Sequence, residues 1–169
     1  MTTPILSIIG KSKSGKTTLL EKLIPELKRR GYRVAVVKHH SHPGFEIDVP
    51  GKDTWRFAQA GSDHIIIAAP DKIASIRRLD GELDLDEIIS DIHQVDIIFT
   101  EGYKRAGKLA IEVVRAGLGT GLVADPGQLV AVATDTHLNI SLPQLDLNDS
   151  IQIADFVEVT FLKNEPPVD

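Results

Sequence analysis

Short apolar runs alternate along this chain with stretches in which apolar positions recur every three or four residues. Ile5–Ile9 is such a run and predicts a strand buried on both faces. Thr17–Arg30 predicts an amphipathic helix, with Leu20, Leu23, Ile24 and Leu27 on one side. Lys28, Arg29 and Arg30 fill its last turn and Gly31 supplies the stop. Pro25 lies inside that helix and is expected to kink it, because an interior proline removes a backbone donor and costs about 3 kcal/mol. Arg33–Lys38 reads as the next strand. A loop rich in glycine, proline and histidine follows, then a short helix opened by Asp53 or Thr54 and closed by Gly61.

The second half repeats the alternation. His64–Ala69 and Ile73–Leu79 predict two strands joined by a turn at Pro70-Asp71. Leu85–His93 predicts a helix, Asp96–Thr100 and Ile111–Val114 two strands, and Gly117–Gly121 a flexible loop. Leu129–Ala133 predicts another buried strand and Ser150–Leu162 a closing helix. Strands alternating with helices indicate an α/β fold with a mostly parallel sheet flanked by helices. No repeat or long linker divides the chain, so one domain is expected over residues 1–163, with a polar tail at 164–169. The pattern does not specify strand order.

Composition narrows the classes. A chain of 169 residues with 42% apolar and 25% charged side chains is ordinary globular material. With 24 acidic against 19 basic residues the net charge is −5, which disfavours a broad nucleic-acid surface. The absence of cysteine excludes disulfides and thiolate metal sites, so any metal must take His, carboxylate or water ligands. The first apolar run is too short for a signal peptide and no run is long enough to cross a bilayer; a cytoplasmic protein with no membrane partner is expected.

The chemistry begins after the first strand. Gly10 to Thr18, GKSKSGKTT, satisfies G-x-x-x-x-G-K-[ST] without a substitution. Gly10 and Gly15 let the loop curl so that its amides, with those of Lys11, Ser12, Lys13 and Ser14, line a phosphate cradle at a helix N-terminus. Lys16 is expected to neutralise β- and γ-phosphate charge, Thr17 to ligate Mg²⁺ and Thr18 to continue the nucleotide-binding loop. The fold class is therefore a single P-loop NTPase-like domain. Glu101, just past Ile97–Phe99, is placed to reach the metal, and Asp48, in a D-x-x-G stretch, is its rival. The Asn/Thr-Lys-x-Asp pattern that reads guanine is absent. Asp135, ending LVAVATD, has the chemistry to accept guanine's N1–H and N2–H, although a turn aspartate explains it equally well.

A second cluster stands in VVKHHSHPGFEIDVPGKDTWRFAQAG: Lys38, His39, His40, His42, Asp48, Lys52, Asp53 and Arg56. His40, His42 and Asp48 are a conceivable metal set, but their spacing is not that of a fixed site and Pro43-Gly44 leaves the loop pliable. An anion-binding reading suits the permanent charges better, with histidines adding donors that titrate near neutrality. Capping of the following helix is the plain structural alternative.

Taken in order, GKSKSGKTTLLEKLIPELKRRGY, VVKHHSH, DVPGKDTWRFAQAG and FTEGYK resemble the MobB family of molybdopterin-guanine dinucleotide biosynthesis adaptor proteins. The resemblance spans nearly the whole chain, and the IPEL proline fits it. It implies a P-loop α/β fold, GTP binding with hydrolysis that is slow at most, and a homodimer. It also implies a guanylyltransferase-type partner that joins GMP to molybdopterin, and a second cleft for that partner or for molybdopterin itself. On this chain Gly10–Thr18 would hold the nucleotide. Lys38–His42 and Asp48–Arg56 would face the cleft, and Glu101, Gly102, Tyr103 and Lys104 would form its opposite wall. The chain departs from the family pattern at Lys108-Leu109-Ala110, where a proline-lysine pair is expected before Ile111, so no phosphate role is assigned to Lys108 or Arg115. Gln59 and Gln94 are the nearest glutamines for positioning a water and neither has motif support, so the catalytic residue stays unassigned. Two other readings share the loop: a small-molecule kinase, with Arg77, Arg78 and Arg105 available to close on phosphate, and a metal-delivery GTPase using the histidines.

Overall fold

The computed structural model describes residues 2–40, 42 and 44–163; the 164–169 tail lies outside them. The chain divides into two compact units, one formed by Met1–His39 with Leu85–Asp169, the other by His40–Asp84.

The larger unit is built on a six-stranded parallel sheet. Its strands are β1 (Ile5–Gly10), β2 (Val34–Lys38), β5 (Ile97–Glu101), β6 (Ala110–Val114), β7 (Leu129–Thr134) and β8 (Gln144–Asp146), in the order β2-β5-β1-β6-β7-β8. Its helices are α1 (Lys16–Arg29), α3 (Leu85–Ser90) and α4 (Ser150–Val157). The continuous apolar runs follow from this position: β1, β5 and β6 lie inside the sheet and are buried on both faces. Ser7 and Thr100, the polar interruptions of two central strands, are register partners whose hydroxyls share a 2.8 Å hydrogen bond, so neither is stranded in the core. Leu6, Ile8, Phe99, Ile111 and Val113 pack with Leu19, Leu23 and Leu27 of α1 and Ile153 and Val157 of α4 in one core cluster.

Helix α1 ends as its sequence requires. Gly31 takes φ 94°, its amide bonds to Lys28 and the Tyr32 amide to Leu27, so two otherwise unpaired carbonyls are satisfied. Pro25 sits within α1 and the helix runs on to Arg29, because the buried leucine stripe offsets the lost backbone bond. The closing helix departs from expectation: α geometry stops at Val157 and Glu158–Leu162 forms a π turn. The helix expected to His93 stops at Ser90, and Gly117–Gly121 is entered through a 3₁₀ turn at Ala116–Leu118.

An ion cluster ties α1 to the closing helix. Arg30 reaches Glu26 at 2.8 Å, Asp155 at 2.7 Å and Glu158 at 2.9 Å, and the Tyr32 hydroxyl donates to Glu158. Hydrogen bonds from Arg29 and Arg30 hold the Glu26 carboxyl down at about 2, against its ordinary 4.5. Because the folded value is depressed, the stabilisation is complete above about pH 4.5 and is lost as pH falls through about 2. Glu26→Gln should therefore lower the thermal midpoint at pH 6 and lose most of that difference by pH 2. A gap of constant size across the titration would refute the linkage.

The smaller unit holds α2 (Asp53–Gln59) and a hairpin of β3 (His64–Ala69) and β4 (Lys72–Arg77). Its second strand starts and stops earlier than the expected Ile73–Leu79. Lys52, in an extended conformation, caps α2 without a side-chain bond, so Asp53 becomes the first helical residue rather than the cap. Gly61 closes α2 with the same pair of backbone bonds seen at Gly31. Both faces of the hairpin carry exposed apolar groups, with Ile66 and Ile67 at 56% and Ile73 at 69% exposure. No helix among the described residues is long and apolar enough to cross a membrane.

Candidate functional site

Parallel strands deliver their C-terminal ends to one edge of the sheet, and on the larger unit that edge gathers Gly10, Lys38, Glu101, Arg115 and Asp135. Gly10 has φ 148° and faces the β6 backbone; Gly15, at φ 103°, is the residue before α1. Lys13 lies between them at φ 63°, a left-handed conformation uncommon away from glycine. The Gly10–Thr18 segment thus curls tightly, and the amides of the first turn of α1 open on its mouth.

The Lys16 ammonium folds over this turn, donating to the Lys11 carbonyl at 2.8 Å and the Gly10 carbonyl at 3.4 Å. Burial lowers its pKa, Glu101 opposes that shift, and Lys104 and Lys38 add to it. The Thr17 hydroxyl lies 3.0 Å from both oxygens of Glu101, whose Oε1 is 3.4 Å from Lys38 Nζ. The residues expected to share a metal, Thr17 and Glu101, are therefore neighbours. Their oxygen donors are of the kind that could hold a hydrated Mg²⁺. Ser14 is 1% exposed, and its Oγ has no hydrogen-bond partner among the described residues although it sits at the base of the turn.

His39 belongs to the same edge. Its amide bonds to the Glu101 carbonyl at 2.9 Å, its ring meets that of Tyr103 at a 47° tilt with centroids 4.9 Å apart, and Gly102, at φ 112°, lets the two segments close up. A Cβ on Gly102 would stand 2.9 Å from that of His39. The remaining members of the second cluster, His40, His42, Asp48, Lys52, Asp53 and Arg56, belong to the smaller unit. There His40 meets the rings of His42 and Phe45 edge-on, Asp53 lies 3.9 Å from Arg56, and Asp48 accepts from the Val49 amide. Among the described residues no three His or carboxylate side chains gather as a metal receptacle.

Gln94 is not set beside the loop by the sheet. Gln94 precedes β5, at the edge opposite Gly10, and Gln59 ends α2 in the smaller unit.

Arg115 is a site residue that motif reading passes over. It directly follows β6, donates through Nε to the Ser14 carbonyl at 3.2 Å, and sets its guanidinium against Gly15. Its other side faces Asp135 at 3.7 Å, while Asp135 Oδ1 accepts the Ala116 amide at 2.8 Å. Lys11 reaches the Leu118 and Gly119 carbonyls, and the buried Glu112 accepts from the Val123 and Ala124 amides. Lys11 thereby ties the Gly117–Gly121 segment to the glycine-rich turn, and Glu112 ties the residues just beyond it to β6. Lys108 pairs with Asp86, 22 residues away in sequence. The departure from the family pattern at Lys108-Leu109-Ala110 had left Arg115 without a role, and its place immediately after a strand was the remaining signal.

The family model for molybdopterin guanine dinucleotide synthesis protein B, MobB, matches residues 5–135. The chain is 40% identical over 157 residues to a molybdopterin-guanine dinucleotide biosynthesis adapter protein of Haemophilus influenzae, spanning 92% of this chain and 88% of that protein. An Escherichia coli protein of the same description is 38% identical, with 91% of each chain covered. Among solved structures, a molybdopterin-guanine biosynthesis protein B is similar at TM-score 0.71 and 34% identity, with 92% of this chain and 98% of that one covered. Bacillus subtilis MobB, at TM-score 0.76 and 23% identity over 96% and 99%, shares the fold.

Proposed function

Since this chain belongs to the MobB family, molybdopterin guanine dinucleotide synthesis protein B, we propose that it is a cytoplasmic GTP-binding adapter in the synthesis of the guanine dinucleotide form of the molybdenum cofactor. The observation that carries the reading is the juxtaposition of Lys16, Thr17 and Glu101 around the glycine-rich turn. A triphosphate is recognised by backbone amides at a helix N-terminus, an ammonium and a hydroxyl–carboxylate pair, and the residues around this turn support that reading. Lys16, now satisfied by carbonyls of its own loop, exchanges those contacts for β- and γ-phosphate oxygens. Thr17 and Glu101 would hold Mg²⁺, which when bound offsets phosphate charge.

Hydrolysis is slow at most: Gln94 precedes β5, at the sheet edge opposite the turn, and no motif marks a glutamine for positioning a water. Binding energy then serves to set the shape offered to a guanylyltransferase-type partner. His39, Tyr103 and Lys104 on the larger unit form a wall for that partner or for molybdopterin. The hairpin, with isoleucines exposed on both faces, favours a second copy of this chain as its cover, since a two-stranded hairpin alone is marginal in water.

Calorimetric titration of the purified protein with Mg-GTP, Mg-ATP and a phosphorylated acceptor set tests this directly. Saturable GTP binding with little turnover and no phosphoryl transfer is expected. Transfer to an acceptor would give the protein to the kinases, and no GTP binding at all would end the reading.

A further inference from the structure

Beside the glycine-rich turn, on the β7–β8 side, lies a pocket of about 380 Å³ lined by residues that no motif marks: Thr136, His137, Gln144, Asp146 and Asn148, with Asp135 at its near rim. Its size is that of a small-ligand site, for which about 300–1,000 Å³ is typical. Both walls are braced. The Gln144 side-chain amide makes two 2.8 Å hydrogen bonds with the Leu138 backbone, fixing the 136–138 loop to β8. Thr134 Oγ1 binds both backbone groups of Thr136. On the other wall the Leu147 amide bonds to the Thr134 carbonyl, and Asp146 Oδ1 accepts the Asn148 amide at 2.8 Å.

We propose that this pocket seats the guanine base of GTP and that Asp146 is the carboxylate that reads its N1–H and N2–H₂ edge, an inference that rests on the phosphate-loop reading above. The pocket is joined to the turn by one guanidinium: Arg115 touches the Ser14 carbonyl on one side and faces Asp135 on the other. A ligand with its phosphates on Gly10–Thr18 therefore has its base end on this side. Asp135, the acid that ends the strand, is held to the Ala116 amide and to Arg115, so it positions the loop between phosphate and base. Asp146 forms no ion pair among the described residues, and the same Asx turn that fixes its backbone orients its carboxylate at the pocket wall. An ionised carboxylate only accepts hydrogen bonds. Guanine presents two adjacent donors to it, whereas adenine presents a ring acceptor and a C–H, leaving the acid unpaired and desolvated. The discrimination is thus attraction for one base and repulsion of the other.

The test exchanges acceptor for donor. Xanthine carries O2 where guanine carries N2–H₂, so Asp146→Asn offers an amide donor that suits XTP while keeping the oxygen that holds Asn148. The full chain, Asp146→Asn and Asp135→Asn are titrated with GTP, XTP and inorganic triphosphate. Asp146→Asn should reverse the preference from GTP to XTP by about 100-fold, the worth of one or two charge-assisted hydrogen bonds, with triphosphate affinity unchanged. An unaltered GTP/XTP ratio in Asp146→Asn, or a reversal confined to Asp135→Asn, overturns the assignment. GTP binding no tighter than triphosphate in the unmodified protein removes the base seat and leaves the phosphate loop standing. Failure to bind either ligand removes the phosphate loop.

Discussion

Lys16→Ala should abolish measurable GTP binding while leaving the thermal midpoint close to that of the unmodified protein. The ammonium is half-buried and makes its contacts to carbonyls of the turn, at 2.8 and 3.4 Å. Both contacts are only part-buried, so water can replace a lost donor and folding loses on the order of 1 kcal/mol or less. Binding loses far more. Two charge-assisted bonds to phosphate oxygens at roughly 1.5–3 kcal/mol each amount to a fall in affinity of more than about 100-fold. Burial already depresses the Lys16 pKa, so the charge is held at an electrostatic cost that a triphosphate relieves. Retained GTP affinity in Lys16→Ala, measured by calorimetry beside an unfolding curve, would show that the turn is not the nucleotide site. A midpoint lowered by many degrees would show that the lysine braces the loop instead.

How far the fold was legible depends on whether a signal was local. Strand β1, its glycine turn and α1 are written in consecutive residues: an apolar run, two glycines at fixed spacing and a leucine stripe. The C-terminal stops at Gly31 and Gly61 are local too, because each rests on backbone bonds spanning six residues. Strand β8 was missed because three residues, Gln144–Asp146, are too few to show a period. The cap of α2 was misplaced because Asp53 and Thr54 are both good caps by residue type, and only the extended backbone of Lys52 shows that the cap stands one residue earlier. Strand order, with β1 between β5 and β6, is a property of crossovers and leaves no mark on any one strand.

The site divides along the same line. The turn, Thr17 and Glu101 were readable because phosphate chemistry demands particular residues at the ends of particular strands. Arg115 and Glu112 were not. Each acts through backbone groups of distant segments, Arg115 on Ser14 and Glu112 on Val123 and Ala124. The histidines were read as one cluster, yet His39 lies with β2 and Glu101 while His40 and His42 fall in the smaller unit. Consecutive residues share a loop in sequence and still belong to different bodies.

Gly10→Ala should be the most damaging single substitution in the chain, for a reason that holds before any ligand binds. An ideal Cβ at this position would stand 2.5 Å from the Val113 carbonyl oxygen and 2.9 Å from Ser14 Oγ, with φ at 148°. Val113 pairs in register with Gly10 on β6, is 1% exposed, and is fixed by strands on both sides. No side chain can turn aside to admit the methyl; a central strand must shift. Overpacking of a fixed core typically costs about 1–3 kcal/mol, and a backbone clash compounded by a glycine-only conformation belongs at or beyond the upper end. That is a large part of the roughly 5–15 kcal/mol that holds a domain folded. The variant should show a much lower denaturation midpoint and no GTP binding. Gly117→Ala supplies the contrast, since no described atom lies within 4 Å of its Cβ, and it should change the unfolding free energy by about 0.5 kcal/mol or less. If Gly10→Ala unfolds at the same denaturant concentration as Gly117→Ala, the close approach of β1 and β6 that shapes the turn does not exist in solution.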